Sequence, residues 1–264
     1  MSRQRGAGEN SMGDVLYGRN AIREALRAQR RSFDRLLVST GAQQIGTLAE
    51  IVKLAEQNGT PVVRIDRREL DKQLRDINHQ GVALHCGDYP YAELDDILEL
   101  AQQRSEPALI LMLDHLQDPQ NVGTLLRTAE VVGAHGVIIP GRRAAEITPA
   151  VVNASSGATE HLRISVVPNL VQAIETLQKV GVWVAGVEDD ERASDIDRMD
   201  LNMPLALVMG AEGPGLARLT RERCDFLVRL PMAGQIASLN VAVAGSIALY
   251  TAWRARSRGN AGDE

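Results

Sequence analysis

Apolar residues along this chain fall into short runs divided by polar turns, and the period of the runs predicts strands alternating with helices. Between residues 19 and 28, Ile22, Ala25 and Leu26 share one helical face. Residues 33–39 form a strand-like run, 44–57 a helical pattern stopped by Asn58-Gly59, and 61–65 a second strand. Asp66 is placed to cap a short helix through Leu74, and 82–86 supplies another strand. Together these predict a small α/β domain over residues 14–88.

The pattern changes at Asp88-Tyr89-Pro90, which opens a linker, residues 89–106, holding one acidic amphipathic helix at 93–103. Beyond Pro107 a second alternation begins with the unbroken apolar run 108–113, which suits a strand buried on both faces of a parallel sheet. Further strands are expected at 136–139, 164–167, 182–187, 205–209 and 226–230, with helices at 122–132 and 170–179. A last helix, 240–253, has almost no polar face, so it must be covered on most sides. Either a second subunit covers it or it threads the core of its own domain. The second domain is expected over 107–256, with flexible tails at 1–13 and 257–264.

A chain of 264 residues has room for two such cores. It has an ordinary globular balance, no run as long as a membrane span, and a polar start without a signal-peptide core, which predicts a cytoplasmic protein. The net charge of −5 argues against indiscriminate nucleic-acid binding. One basic island stands out: Arg19, Arg23, Arg27, Arg30, Arg31 and Arg35 face only Glu24 and Asp34. Within it Arg19, Arg23 and Arg27 recur every fourth residue, either an RNA-binding stripe or a solvated helix face. Cys86 and Cys224 stand far apart and predict buried, reduced thiols, and the five histidines show no metal-ligand spacing, so no metal is expected.

Three segments carry candidate chemistry, each after a strand-like run, where open α/β sheets bind ligands. The first is Asp118-Pro119-Gln120-Asn121-Val122-Gly123 with Arg127 on the following helix; Asp118-Pro119 forces a turn and Asn121 is a good cap. The second, Met209-Gly210-Ala211-Glu212-Gly213-Pro214-Gly215, sets glycines around one carboxylate, which is wrong for a phosphate cradle. The third runs from Leu230-Pro231-Met232 to Ser238-Leu239-Asn240-Val241. No P-loop and no dinucleotide fingerprint is present. Each segment alone also reads as a plain turn or helix cap.

In order and spacing, the three segments resemble the motifs of the SpoU (TrmH-like) branch of the SPOUT methyltransferases. Residues 16–26, Leu-Tyr-Gly-Arg-Asn-Ala-Ile-Arg-Glu-Ala-Leu, resemble the start of that family's ribosomal-protein-like RNA-binding domain. With both halves present the chain is similar to the RlmB type, which methylates the 2′-hydroxyl of a guanosine in large-subunit (23S) ribosomal RNA. The resemblance implies a C-terminal α/β trefoil-knot domain, a homodimer packed through it, and S-adenosyl-L-methionine as cofactor. Gly210, Leu230 and Leu239 match cofactor contacts, with Met232 and Ser238 nearby. Ser155 and Gly157, in Asn153-Ala154-Ser155-Ser156-Gly157-Ala158, match another stretch of that pocket. Asn121, Arg127, Glu212, Ser238 and Asn240 match the catalytic set, with Asn121 and Glu212 expected to fix Arg127. Pro214 and Ala242 depart from the family pattern. Methylation of transfer RNA, or a non-catalytic RNA-binding or ribosome-assembly role, remains open at this point.

Overall fold

In the computed structural model, which describes residues 13–75, 77–142, 144–236 and 238–260, the first apolar face becomes α1 (Arg19–Ala28), burying Ala21, Ile22, Ala25 and Leu26. Of the tails expected at 1–13 and 257–264, residues 1–12 and 261–264 lie outside the described residues. Helix α1 packs on a four-stranded sheet made of β1 (Val15–Tyr17), β2 (Phe33–Ser39), β3 (Val62–Ile65) and β4 (Val82–Cys86), in spatial order β1-β4-β2-β3. Only β2 and β3 run parallel. Helix α2 (Thr47–Gln57) starts three residues later than the pattern suggests, after Gly46 at a φ of 56°. Helix α3 (Arg67–Gln73) begins as expected, with the Asp66 carboxylate accepting from the Arg68 amide at 2.7 Å.

The connector helix α4 (Leu94–Arg104) is docked on the second sheet, with Ile97 and Ala101 buried beside Ile110, Met112 and Ile138. That sheet contains β5 (Leu109–Leu113), β6 (Gly136–Pro140), β7 (Ile164–Val167), β8 (Trp183–Val187), β9 (Ser194–Asp195), β10 (Leu205–Met209) and β11 (Phe226–Arg229). All seven strands are parallel, in the order β7-β6-β5-β10-β8-β11-β9. Every residue of the central strands β5 and β10 is buried, as the unbroken apolar runs require. Helix α5 (Pro119–Val131) and the last helix, α9 (Val241–Asn260), contribute to the core on one face; α4 and α7 (Leu170–Lys179) contribute to the other. Two short helices, α6 (Pro149–Ala154) and α8 (Arg218–Arg223), and two 3-10 turns, Ala158–His161 and Ile196–Arg198, complete the described part of the domain.

Helix α9 corrects the tail expected from 257. It continues through Asn260, and the Arg256 guanidinium reaches the carbonyls of Pro107 (2.6 Å), Ala108 (2.9 Å) and Met203 (2.6 Å), tying the last turns to the start of β5. Burial lowers the Arg256 pKa to about 10. Along α9, Ala242, Ala248, Leu249 and Ala252 are buried within the chain, whereas Val243, Ile247, Tyr250 and Trp253 are exposed. The chain's own core therefore covers half of this apolar helix.

Candidate active site

A cavity of about 430 Å³ opens where β8, β10 and β11 end and α9 begins. Gly210, Leu230, Met232, Ser238 and Leu239 line it, together with Glu212 and Asn240. The second and third segments thus meet in one place. Glu188, Asp189 and Arg229 also line it and were absent from the sequence reading. Their only signal was position, at or just beyond the end of an apolar strand.

The Gly-rich segment is a closed loop, because Ala211 and Gly215 exchange amide-to-carbonyl bonds of 3.0 Å in both directions. Gly210 must lack a side chain here: a Cβ would lie 2.2 Å from the Gly215 carbonyl carbon. Glu188 fixes the outer arm, accepting from the Leu216 amide at 3.1 Å and from Arg221 Nη2 at 2.8 Å.

The loop carries Glu212 to the first segment. Asn121 Nδ2 donates to Glu212 Oε2 at 3.1 Å, and Asn240 Nδ2 donates to Asn121 Oδ1 at 3.0 Å. Asn240 Oδ1 in turn accepts from the amides of Ala242 (2.9 Å) and Val243 (3.3 Å), capping α9. One polar chain therefore joins all three segments. Asn121 is not the cap of α5: Asp118 takes that place, accepting from the Asn121 amide at 3.0 Å. With Asp118 as cap and Pro119 at the first helical position, the Asn121 side chain is free for its two partners.

Arg127 lies apart from that chain. Six residues along α5 rotate it about 120° away from Asn121, and its guanidinium donates instead to Ser156 Oγ at 3.3 Å. Among the described residues, neither Asn121 nor Glu212, which were expected to fix Arg127, bonds to it. Ser156 is the partner that sequence reasoning missed, although it stands in the quoted stretch. Ser155 and Gly157 do not line the cavity: the Ser155 hydroxyl is fully buried and donates to the Val152 carbonyl at 2.9 Å, and Gly157 lies against α1.

The basic island separates by role. Arg31 is buried in an ion pair with Glu160, and Arg30 binds the carbonyls of Pro90, Glu160 and Leu162. Arg23 and Arg27 each pair with Glu24 and Glu50. Arg19 Nε donates to the Gln80 carbonyl at 3.3 Å and, with Arg67, lines a second cavity of about 570 Å³ on the small domain. Burial pushes the thiols of Cys86 and Cys224 up to about 12.

The profile of the SpoU rRNA Methylase family matches residues 108–250, which hold all three segments. The chain belongs to the SpoU rRNA methylase family. Residues 15–92 of this SpoU methylase match a second profile, described as RNA 2′-O ribose methyltransferase substrate binding. A relative from Bacillus subtilis (strain 168), YacO, assigned by name to the TrmH family of tRNA/rRNA methyltransferases, is 41% identical over 244 residues, 92% of this chain and 96% of the relative. Among solved structures, the SpoU methyltransferase AviRb from Streptomyces viridochromogenes has a TM-score of 0.77 at 27% identity, covering 94% of this chain and 91% of that one. AviRb in complex with AdoMet has a TM-score of 0.76 at 26% identity, covering 96% of both chains. The SPOUT α/β fold expected from the resemblance is therefore the fold of this chain, and the chain is an RNA methyltransferase of the SpoU/TrmH family.

Proposed function

We propose that this methyltransferase modifies a ribose 2′-hydroxyl of RNA, and that its substrate is a guanosine of large-subunit ribosomal RNA. The polar chain Glu212, Asn121, Asn240 at the rim of the cavity carries this reading. It joins the three segments whose likeness to SpoU methylases led to that activity. The substrate-binding profile over residues 15–92 supports a ribose oxygen as acceptor.

The cofactor is S-adenosylmethionine, and the cavity suits it. Leu230, Leu239, Val241 and Ala244 offer an apolar wall for an adenine, while Asp189 and Glu212 bring carboxylates to the same cavity for hydroxyl groups and positive charge. Bound there, it supplies an electrophilic methyl with a neutral thioether as leaving group, so the protein needs no metal. The residues have to align the acceptor oxygen and ease loss of its proton. Glu212, Asn121 and Asn240, with Ser238 beside them, orient the rim where a ribose would enter. Arg127 has no carboxylate within ion-pair distance among the described residues, so its charge is free for a phosphate or a developing alkoxide. A guanidinium stays protonated and does not serve as base; an RNA phosphate or water takes the proton.

On the small domain, Arg19 and Arg67 flank a cavity wide enough for a phosphate and its sugar, whereas Arg23 and Arg27 are already paired with acids. RNA is therefore gripped first through Arg19 and Arg67. The uncovered stripe Val243, Ile247, Tyr250 and Trp253 supports a homodimer in which a second copy covers α9. The test is to incubate the protein with labelled cofactor and unmodified large-subunit ribosomal RNA or transfer RNA, then locate the methylated nucleotide by mass spectrometry. A single 2′-O-methylguanosine in the ribosomal RNA is expected. Label confined to transfer RNA refutes the substrate, and a methylated base refutes the reaction.

A further inference from the structure

The turn whose hydroxyl accepts from Arg127 packs against the small domain. Ser156 sits in a left-handed conformation at a φ of 56°, a strained position for a serine, and Gly157 follows at 88°. Helix α1 rests directly on that turn: a Cβ added to Gly157 would lie 2.7 Å from Glu24 Cβ and 3.2 Å from Ala21 Cα. Upstream, a Cβ added to Gly18 would lie 2.3 Å from Asn153 Oδ1.

The residues just beyond the turn are gripped more firmly. Arg31 and Glu160 have fully buried side chains and pair through two bonds, of 2.8 and 3.0 Å, while Arg31 also reaches Asp14 at 2.7 Å. The Tyr89 hydroxyl lies 2.8 Å from the Thr159 carbonyl and 3.0 Å from that of Leu162. Arg30 Nη1 donates to the Leu162 carbonyl at 2.5 Å. The small domain and connector thus occupy the backbone acceptors of the 3-10 turn that follows Ser156. A continuous apolar core joins α1 to α5 and α6 across the same boundary.

We infer that docking of the small domain positions Arg127 through Ser156, so the RNA-binding domain takes part in catalytic alignment besides holding substrate. This rests on the proposed role of Arg127 in ribose methylation. Arg30, Arg31 and Ser156 are positioning residues; none needs to touch the reacting atoms. A surface that served only as a tether would have no reason to seize the turn bearing a hydroxyl bonded to Arg127.

The test uses the full chain, with Arg30→Met, Ser156→Ala and the double variant. Arg30→Met keeps the apolar stem and removes the carbonyl bonds. Each single change is expected to lower kcat about tenfold, leave KM for S-adenosylmethionine within about twofold, and combine without further loss because both act through one contact. Hydrogen exchange, which needs no turnover, should quicken in Arg30→Met at residues 155–162 and not at 209–216. The inference is overturned if Arg30→Met raises only KM for RNA, if the two kcat losses multiply, or if exchange at 155–162 is unchanged. Wild type in the same assay keeps the readings apart: label on a base refutes ribose methylation, while the exchange experiment still judges the docking.

Discussion

Asn240 uses both ends of its amide at once: the oxygen caps α9 and the nitrogen donates to Asn121. Asn240→Asp separates the two roles. The carboxylate keeps the cap and suits a helix N-terminus, but it faces the Asn121 oxygen, and Asn121 cannot turn its NH2 toward it without setting its oxygen against Glu212. The expected result is a roughly ten- to hundredfold loss of kcat/KM with the melting temperature held, checked by methyl transfer and a thermal melt. The thiols give a second residue-scale prediction. With pKa values pushed up to about 12 by burial, Cys86 and Cys224 are protonated at pH 8, with a thiolate fraction of about 10⁻⁴. Iodoacetamide should leave the native protein unlabelled and modify both cysteines after denaturation, as read by intact mass. At this scale the sequence exposes residue types and spacing, so Gly210, Glu212, Ser238 and Asn240 were legible as one site. The partner of Arg127 was not, because Ser156 lies 29 residues away and nothing local marks the contact.

Helix α9 shows how far an element can be read from its pattern. Its apolar middle announced a covered helix, and the chain supplies cover on one side only. If a second copy covers the other, Ile247→Glu should sediment as a monomer at concentrations where wild type is a dimer; an unchanged sedimentation coefficient would remove the proposed interface. The polar end misled for a physical reason. The pattern ends the helix at Trp253 and starts a tail at Ser257, yet the helix runs on through Asn260 and Arg256 binds three carbonyls of the domain. The ten-residue helix α7 and the unbroken apolar run of β10 matched their patterns residue for residue. By contrast β1, β9, α6 and α8 hold two to six residues each, too few to display a period. The 3-10 turn Ala158–His161 escaped for the same reason, although it carries Glu160. Replacing Glu160 by alanine leaves Arg31 buried without its bidentate partner, and the loss should be about 3–5 kcal/mol in urea unfolding.

At the scale of the whole molecule, an acidic chain handles an acidic polymer by local arrangement of charge. The net charge is −5, and much of the basic island is consumed in ion pairs or inside the domain boundary. Arg19→Ala and Arg67→Ala should each reduce the salt dependence of RNA binding by about one unit of slope, with the order of preference among RNA sequences unchanged. The two α/β alternations, each of which carries its own sheet, were legible from chain length and pattern. Their docking was not, because Arg31 and Glu160 are 129 positions apart and each reads alone as an ordinary surface charge. The central claim is transfer of a methyl group to a ribose 2′-oxygen, and alkaline hydrolysis of RNA labelled by this protein tests it most directly. A 2′-O-methyl group removes the internal nucleophile that cleaves the adjoining phosphodiester. The label should therefore remain in an alkali-stable dinucleotide, whereas label recovered in mononucleotides would place the methyl group on a base and contradict the account.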